Sequence, residues 1–445
     1  STHAVYQEII MKTSSKKTVL IITYYWPPSG GPGVQRCLYF VKYLREFGWE
    51  PIVYTIQNGE FPYLDNSLEK QIPEGVEVIK KEAWEPFSIY KKVMGLDKTV
   101  KLKPNIMVEK TGRPWLHKLS TFVRGNFFIP DARMFWIQPS VRFLKQYTEE
   151  RHIDVIMTSS PPHSVQLIGY HLKKLTGIPW LSDYRDPWTK IFFWDKLKMT
   201  AWAKRKNEQL EKKCLVAADR IVTVSQGCSR DFAALSLRNV EVITNGFDES
   251  SNHDFVSTHQ DLIIGYGGTL SNDRNPELLW QVIGELCKDG VKEGQHLRIQ
   301  FTGAIDPAVY DSIRDAGLEH QLIVCEALPH DEYLRKIRSS DILLLIGAKD
   351  QPGVLTGKLF EYLSFQIPIL SISPKGSDIE EILKQTGCGV NADYNSKEEI
   401  ASALRRVIAM TGASGQFNPN KNEIDQYSRR NLTARLASVL DSMTQ

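Results

Sequence analysis

Several patterns that mark other classes of protein are missing from the 445-residue sequence. Its six cysteines are scattered, without a Cys-x-x-Cys pair, which argues against a zinc site or a disulfide framework and favours a reducing compartment. No apolar run approaches the roughly 18 residues that a membrane-spanning helix needs. The formal net charge of +3 is too small to indicate nucleic-acid binding. We therefore expect a cytoplasmic protein that binds no nucleic acid.

A dinucleotide-binding fingerprint is also missing. The first predicted strand, at residues 18–25, is followed by a loop that contains Gly30, Gly31 and Gly33. This loop is not Gly-x-Gly-x-x-Gly, and no acidic residue closes the second predicted strand at 51–56, which disfavours a nicotinamide-dependent oxidoreductase. A glycine-rich turn between strand and helix still directs N–H groups at a phosphate or a sugar. The three glycines are therefore candidate ligands.

Strands and helices alternate along the chain, which predicts an α/β protein with doubly wound parallel sheets. The alternation begins twice, with a polar, aperiodic segment between the two series. We expect a first Rossmann-like domain at 18–246, a hinge at 247–260, a second such domain at 261–420 and a final helix within 421–445. Residues 1–17 read as a disordered leader or tag, and residues 57–132 show no clear pattern.

One segment is strongly basic. Residues 80–145 hold 14 Lys and Arg against 5 Asp and Glu, an excess of nine positive charges, with many aromatic residues among them. Such a segment suits an anionic membrane face, with the protein peripheral on its inner side, or an anionic acceptor. A solvated insertion with a few aromatic residues packed down is the alternative.

The stretch at 352–370 carries the most specific signal. Thr356 is placed to cap a helix, and Lys358 and Glu361 share one face near its start. The helix N-terminus and the lysine attract phosphate, while a carboxylate one turn later can accept hydrogen bonds from two neighbouring hydroxyls. A diphosphate next to a ribose describes a nucleotide-diphosphate site. An ordinary capped surface helix is the alternative.

The run GKLFEYLSFQIPIL in this stretch resembles the donor-binding helix of retaining GT-B glycosyltransferases, in particular glycosyltransferase family 4. The resemblance implies two facing Rossmann-like domains with a C-terminal helix that crosses back. It also implies sugar transfer, with retention, from a nucleotide-diphosphate-sugar donor to a glycan or lipid-linked acceptor in surface polysaccharide or glycoconjugate synthesis. Lys358 would hold phosphate and Glu361 ribose. Gly353 stands where the family often has a second Glu, which leaves the sugar open.

The same resemblance extends the donor site to other loops of the second half. Arg274 is either a phosphate ligand or an exposed arginine at a helix start, and the family's second cation is missing. The remaining donor-binding candidates are Gly268, Thr269, Ala327, Leu328, Val354, Leu355, Thr356 and Gly357.

In the first half, His163 lies in a polar turn between a strand and a helix, where several family members have a histidine that meets the transferring sugar. A turn histidine without a role is the alternative. Asp186, at a strand end, is either an acceptor-side base or a structural cap. With Lys358 and Glu361, these two residues complete the catalytic candidates. Asp131 and Arg133 are candidate acceptor contacts.

No Asp-x-Asp pair occurs, so a metal-bridged diphosphate is not supported, and we expect neither a metal nor another cofactor. Two rival functions stay open. A GT-B sugar-nucleotide epimerase shares the fold and the donor site but needs no acceptor. A non-catalytic GT-B module would bind a nucleotide or a glycan without turnover, which the missing Glu at Gly353 keeps open.

Overall fold

A computed structural model of the chain describes residues 16–59, 61, 64–82, 114–190, 194, 198–248, 261–289, 296–326, 328, 330–412 and 416–445. The chain divides into two compact units. The first takes in Ser1–Val224, Cys228–Thr244 and Leu432–Gln445, and the second takes in Ser225–Gly227 and Asn245–Asn431. Residues 1–15, and the predicted hinge from residue 249 onwards, lie outside the described residues.

The first unit is built on a parallel sheet whose seven described strands lie in the order β3-β2-β1-β4-β5-β6-β7. The strands are β1 Lys17–Thr23, β2 Trp49–Ile56, β3 Glu77–Lys81, β4 Val155–Ser160, β5 Trp180–Tyr184, β6 Arg220–Thr223 and β7 Glu241–Val242. The helices along this part of the chain are α1 Pro32–Leu44, α2 Pro114–Phe127, α3 Met134–Glu150, α4 Ser164–Thr176, α5 Ala201–Ala217 and α6 Gln226–Ser236.

Both faces of this sheet are covered, which explains its nearly continuous apolar central strands. On one face, Leu20 and Ile22 pack into a core with Trp136 of α3. On the other face, Val19 and Ile21 share a core with the last helix of the chain. Because successive side chains of a strand point to opposite faces, the run in β1 supplies both cores.

The second unit contains a parallel sheet whose six described strands lie in the order β10-β9-β8-β11-β12-β13. The strands are β8 Leu262–Gly267, β9 Leu297–Thr302, β10 Leu322–Cys325, β11 Ile342–Ile346, β12 Ile369–Ile372 and β13 Gly389–Ala392. The helices of this part are α7 Glu277–Asp289, α8 Pro307–Asp315, α9 His330–Arg338, α10 Gly357–Phe365, α11 Asp378–Thr386, α12 Lys397–Met410, α13 Lys421–Asp425 and α14 Arg429–Asp441. Helix α14 runs on into the first unit.

The predicted fold class is confirmed, since both sheets are parallel and flanked by helices. Two expectations were wrong in detail. The stretch 57–132, which has no clear pattern in the sequence, contains strand β3 and helix α2. The predicted single helix within 421–445 is instead α13 and α14, with a break between them. The break forms because the N–H of Phe247 donates to the carbonyl of Tyr427 and the N–H of Arg429 donates to the carbonyl of Phe247.

Candidate active site

The N-terminus of α10 lies at the carboxyl-end side of its sheet, between β11 and β12. As predicted, Thr356 caps this helix: its hydroxyl accepts a hydrogen bond from the N–H of Lys358 at 3.1 Å. Gly357, the first residue of the helix, is exposed. The helix therefore begins at an exposed residue and carries a partial positive charge there, which favours a bound anion.

The side chain of Lys358 is held against the end of β8. Its Nζ donates to the hydroxyl of Tyr266 at 3.0 Å and lies 4.2 Å from the centre of that ring. A Cβ on Gly268 would lie 3.0 Å from both Cε and Nζ of Lys358, and Gly268 has a φ of +94°. Only glycine suits that position, because it allows both the left-handed backbone and the close approach of the lysine.

Two cations share this corner of the second unit. Burial, followed by repulsion from Arg274, lowers the pKa of Lys358 to about 8, while Glu361 acts in the opposite direction. Neither Lys358 nor Arg274 forms an ion pair within 4 Å with a carboxylate of the part of the chain that the structure describes. Two neighbouring positive charges without a direct counter-ion create a site that is suited to a polyanion.

Glu361 lies one turn further along α10 and is half-buried. The hydroxyl of Tyr333, in α9, donates to its Oε1 at 3.0 Å. The carboxylate also acts electrostatically on Arg338, where it opposes the lowering of the pKa by burial. Its neighbours thus fix the carboxylate as a hydrogen-bond acceptor at the side of the site away from the helix N-terminus.

Gly267 joins these side chains to the sheet. Its N–H donates to the hydroxyl of Tyr362 at 3.1 Å. A Cβ on Gly267 would overlap the hydroxyl of Tyr333. The end of β8 therefore provides Tyr266, the partner of Lys358, and lies against Tyr333, the partner of Glu361.

The other donor-site candidates differ in their surroundings. Thr269 is exposed, while Val354, Leu355 and Leu328 are half-buried. Ala327 lies outside the described residues. The structure thus groups Lys358, Arg274, Glu361 and Gly268, and the roles of the remaining candidates stay predictions.

In the first unit, His163 stacks on Trp188 with ring centres 4.8 Å apart and an angle of 5° between the rings. Its Nδ1 is buried and has no hydrogen-bond partner among the described residues. Burial lowers the pKa of His163 to about 4; the charge of Asp131 opposes this shift and that of Arg185 adds to it. The imidazole is therefore neutral at pH 7. Its buried Nδ1 can donate or accept one hydrogen bond, depending on the tautomer.

Asp131 has a structural role. Its carboxylate accepts from the N–H and the hydroxyl of Ser164, at 2.9 and 2.7 Å, and from the N–H of Arg133 at 2.9 Å. It therefore caps α4 directly after His163. Arg133 is buried, with its guanidinium 5.0 Å from the ring centre of Tyr24. Acceptor contact by either residue stays a prediction.

The glycine loop lies beside Arg185. The guanidinium of Arg185 donates to the carbonyls of Ser160 and Pro161, at 3.2 and 2.7 Å. A Cβ on Gly33 would overlap this guanidinium. Gly30 is buried and Gly31 is half-buried, whereas Asp186 is exposed. The structure therefore gives a reason for Gly33 that does not require a ligand.

Sequence reasoning missed a buried ion pair in the first unit. Arg36 and Asp183 are 2% and 0% exposed, and their Nη2 and Oδ1 atoms are 2.7 Å apart. Asp183 also accepts from Ser159, and Arg36 donates to the carbonyl of Thr244. A carboxylate inside the apolar strand β5 was the available signal, because a buried charge needs a partner.

Comparisons with known proteins agree with this architecture. Residues 33–251 match Glycosyltransferase Family 4. The chain has no match in sequence among curated proteins. A glycosyltransferase from Rickettsia africae ESF-5 has a similar structure, with a TM-score of 0.62, 12% identity, and coverage of 97% of this chain and 99% of that one.

Two further solved structures have the same fold. Sucrose-phosphate synthase from Thermosynechococcus elongatus has a TM-score of 0.59 at 11% identity and covers 96% of this chain and 98% of its own. A putative UDP-N-acetylglucosamine 2-epimerase from Listeria monocytogenes has a TM-score of 0.50 at 10% identity, with 96% of each chain covered. The resemblance found in the sequence is thereby confirmed: residues 33–251 match Glycosyltransferase Family 4, and the two parallel-sheet units have the fold of GT-B glycosyltransferases.

Proposed function

We propose that this protein is a retaining glycosyltransferase that moves a sugar from a nucleotide-diphosphate donor to a hydroxyl of a glycan or lipid-linked acceptor, in the synthesis of a surface polysaccharide or glycoconjugate. One observation carries the donor part of the proposal. Lys358, in the first turn of α10, and Arg274, whose charge acts on it, have no carboxylate partner within 4 Å among the described residues, and the carboxylate of Glu361 follows one turn later. Phosphates fit the first part and a ribose diol the second.

In the proposed reaction the acceptor oxygen bonds to the anomeric carbon as the bond from that carbon to the phosphate oxygen breaks. The acceptor proton passes to the departing phosphate on the same face of the sugar. Lys358, Arg274 and the N–H groups of α10 offset the charge on the leaving group, without a metal. The neutral His163 holds a hydroxyl of the transferring sugar, and Asp186 receives the acceptor.

The test is incubation of the full chain with UDP-, GDP- and ADP-sugars, with and without EDTA and with candidate acceptors, followed by product analysis. Release of nucleoside diphosphate, with a new α-linkage from an α-linked donor, supports the proposal. Loss of turnover in EDTA contradicts the metal-free part, and an inverted linkage contradicts retention.

The likeness to the Listeria epimerase gives one specific rival, a sugar-nucleotide epimerase. That enzyme class would convert the nucleotide sugar without an acceptor, so an epimeric sugar released in the acceptor-free reaction identifies it. A binding module without activity would bind a nucleotide but leave every nucleotide-sugar donor unconverted. Slow hydrolysis of a donor by the pure protein excludes that module.

Contact with an anionic membrane is part of the proposal. None of the described helices is long and apolar enough to span a bilayer. Phe127 at the end of α2 and Trp202 at the start of α5 are 67% and 65% exposed. Asn126 joins the two helices, because it accepts from the N–H of Thr200 at 2.7 Å and donates to the carbonyl of Lys198. Exposed aromatic rings on two helices joined in this way suit the interface of a bilayer.

Flotation with vesicles that contain or lack anionic lipid tests this contact. The wild type should float with anionic vesicles, and the double variant Phe127→Ser, Trp202→Ser should not. Leu237→Ser is the matched control, because Leu237 is 90% exposed but lies elsewhere in the first unit. If the wild type binds neither kind of vesicle, only a soluble acceptor remains.

A further inference from the structure

We propose that Tyr266 is a positioning residue for Lys358: it fixes the ammonium group beside the loop after β8, in the place where the donor diphosphate binds. This inference rests on the proposed donor site, and it assigns a role to a residue that no sequence motif singles out.

The hydrogen bonds of Tyr266 have a defined direction. Its hydroxyl lies 3.1 Å from the carbonyl oxygen of Thr269, which can only accept, so the tyrosine donates its proton there. The oxygen of the hydroxyl is then free to accept, and Nζ of Lys358 lies 3.0 Å from it. The chain of bonds therefore runs from the lysine through the phenol to the backbone of the loop.

The ring of Tyr266 provides a second contact. Nζ of Lys358 lies 4.2 Å from the ring centre, within the range in which an ammonium is attracted by the face of an aromatic ring. The phenol oxygen and the ring face together replace part of the hydration that the half-buried lysine has lost. They do so without a negative charge, which would compete with a phosphate for the lysine.

Tyr266 is rigid enough for this task. It belongs to β8, is 2% exposed and packs against Phe301 with ring centres 5.7 Å apart. Burial raises its pKa to about 12, so it keeps the proton that it donates to Thr269. Lysine, by contrast, has a flexible four-carbon stem. A fixed partner reduces the freedom that Lys358 must lose when the diphosphate binds.

The hydroxyl of Tyr333 donates to Glu361 instead of contacting Lys358, so the two tyrosines can be compared within one site. The two tyrosines thus divide the proposed site: Tyr266 supports the phosphate end, and Tyr333 supports the ribose end. Loss of one hydroxyl should weaken binding of one part of the nucleotide and spare the other.

The experiment is calorimetric titration of the full chain with the nucleoside diphosphate that binds best among UDP, GDP and ADP, and with its nucleoside. Tyr266→Phe removes the hydroxyl and keeps the ring. It should weaken binding of the diphosphate about tenfold, the effect of one charged hydrogen bond at the low end of its range, and leave the nucleoside affinity unchanged. Tyr333→Phe should weaken binding of both ligands.

Tyr310→Phe is the matched control, since it makes the same chemical change at an exposed residue of the second unit and should change neither affinity. An unchanged nucleoside affinity in Tyr266→Phe shows that the site is folded. If Tyr266 only supported the fold, the variant would lose affinity for the nucleoside as well as for the diphosphate. The alkaline limit of diphosphate binding should also move to lower pH in this variant, because the charged lysine loses an acceptor. The titratable and charged groups that act on Lys358 are Tyr266, Arg274 and Glu361.

Three outcomes overturn the inference and are distinct from one another. If Lys358→Ala loses diphosphate binding while Tyr266→Phe binds as the wild type does, Tyr266 has no positioning role and the proposed function stands. If Lys358→Ala itself binds the diphosphate with wild-type affinity, the donor site is wrong, and the inference fails with it. Equal losses for diphosphate and nucleoside in Tyr266→Phe would instead mean that the tyrosine only supports the fold.

Discussion

Binding of the nucleotide diphosphate should take up a proton and weaken above pH 8. In the free protein, burial and Arg274 lower the pKa of Lys358 to about 8. A bound diphosphate favours the charged form and raises that pKa again, so affinity is complete well below pH 8 and falls as the pH rises through 8. At pH 9.5, which is 1.5 units higher, about 30 neutral lysines exist for each charged one, and affinity should drop about 30-fold, or about 2 kcal/mol.

Calorimetry at pH 8.5, in buffers that differ in ionisation enthalpy, measures the proton directly. About three quarters of a proton should enter per nucleotide bound, since that fraction of Lys358 is neutral at this pH. Lys358→Arg is the matched control, because a guanidinium stays charged throughout the range and its variant should bind without the pH response. Tyr266 does not interfere, as its pKa is about 12. Equal proton uptake by the wild type and Lys358→Arg would refute the assignment to this lysine.

The remaining predictions concern single side chains. Lys358→Ala should abolish turnover and weaken nucleoside diphosphate binding by roughly 1.5–3 kcal/mol, the value of one charged hydrogen bond, as titration of both proteins would show. Glu361→Ala should bind a nucleoside diphosphate and its 2′-deoxy analogue equally, whereas the wild type should prefer the ribose form; equal preference in the wild type argues against a ribose contact. Asp183→Asn should lower the free energy of unfolding in urea by roughly 3–5 kcal/mol, because it leaves the charge of Arg36 buried without its partner. Asp186→Asn, at an exposed position, should change that free energy by about 0.5 kcal/mol or less.

Features that depend on neighbouring residues in the chain could be predicted from the sequence. The apolar run of β1 and the cap at Thr356 are local, and both are present. Strand β3 could not be found in the same way, because an edge strand with the sequence EVIKK buries too little surface to need an apolar pattern. The break before α14 depends on Phe247, some 180 residues earlier, and no local signal marks it.

The same distinction applies to the candidate site. Lys358 and Glu361 could be singled out because their spacing along one helix has a chemical meaning. Tyr266 and Tyr333 lie 92 and 28 residues from the side chains that they contact, so their roles depend on the packing of the strands and helices. The ion pair of Arg36 and Asp183 spans 147 residues, and only the charge inside a strand hinted at it.

The charges of the proposed donor site favour bond breaking more than donor binding. A sugar joined to a nucleoside diphosphate carries about two negative charges on its phosphates, which Lys358 and Arg274 balance. As the bond to the sugar breaks, further negative charge develops on the leaving phosphate until the acceptor proton reaches it. The N–H groups at the start of α10 supply about half a positive charge and require no reorganisation, so they act on the charge that develops in the transition state. A site built in this way stabilises the transition state more than the bound donor, which is the condition for catalysis.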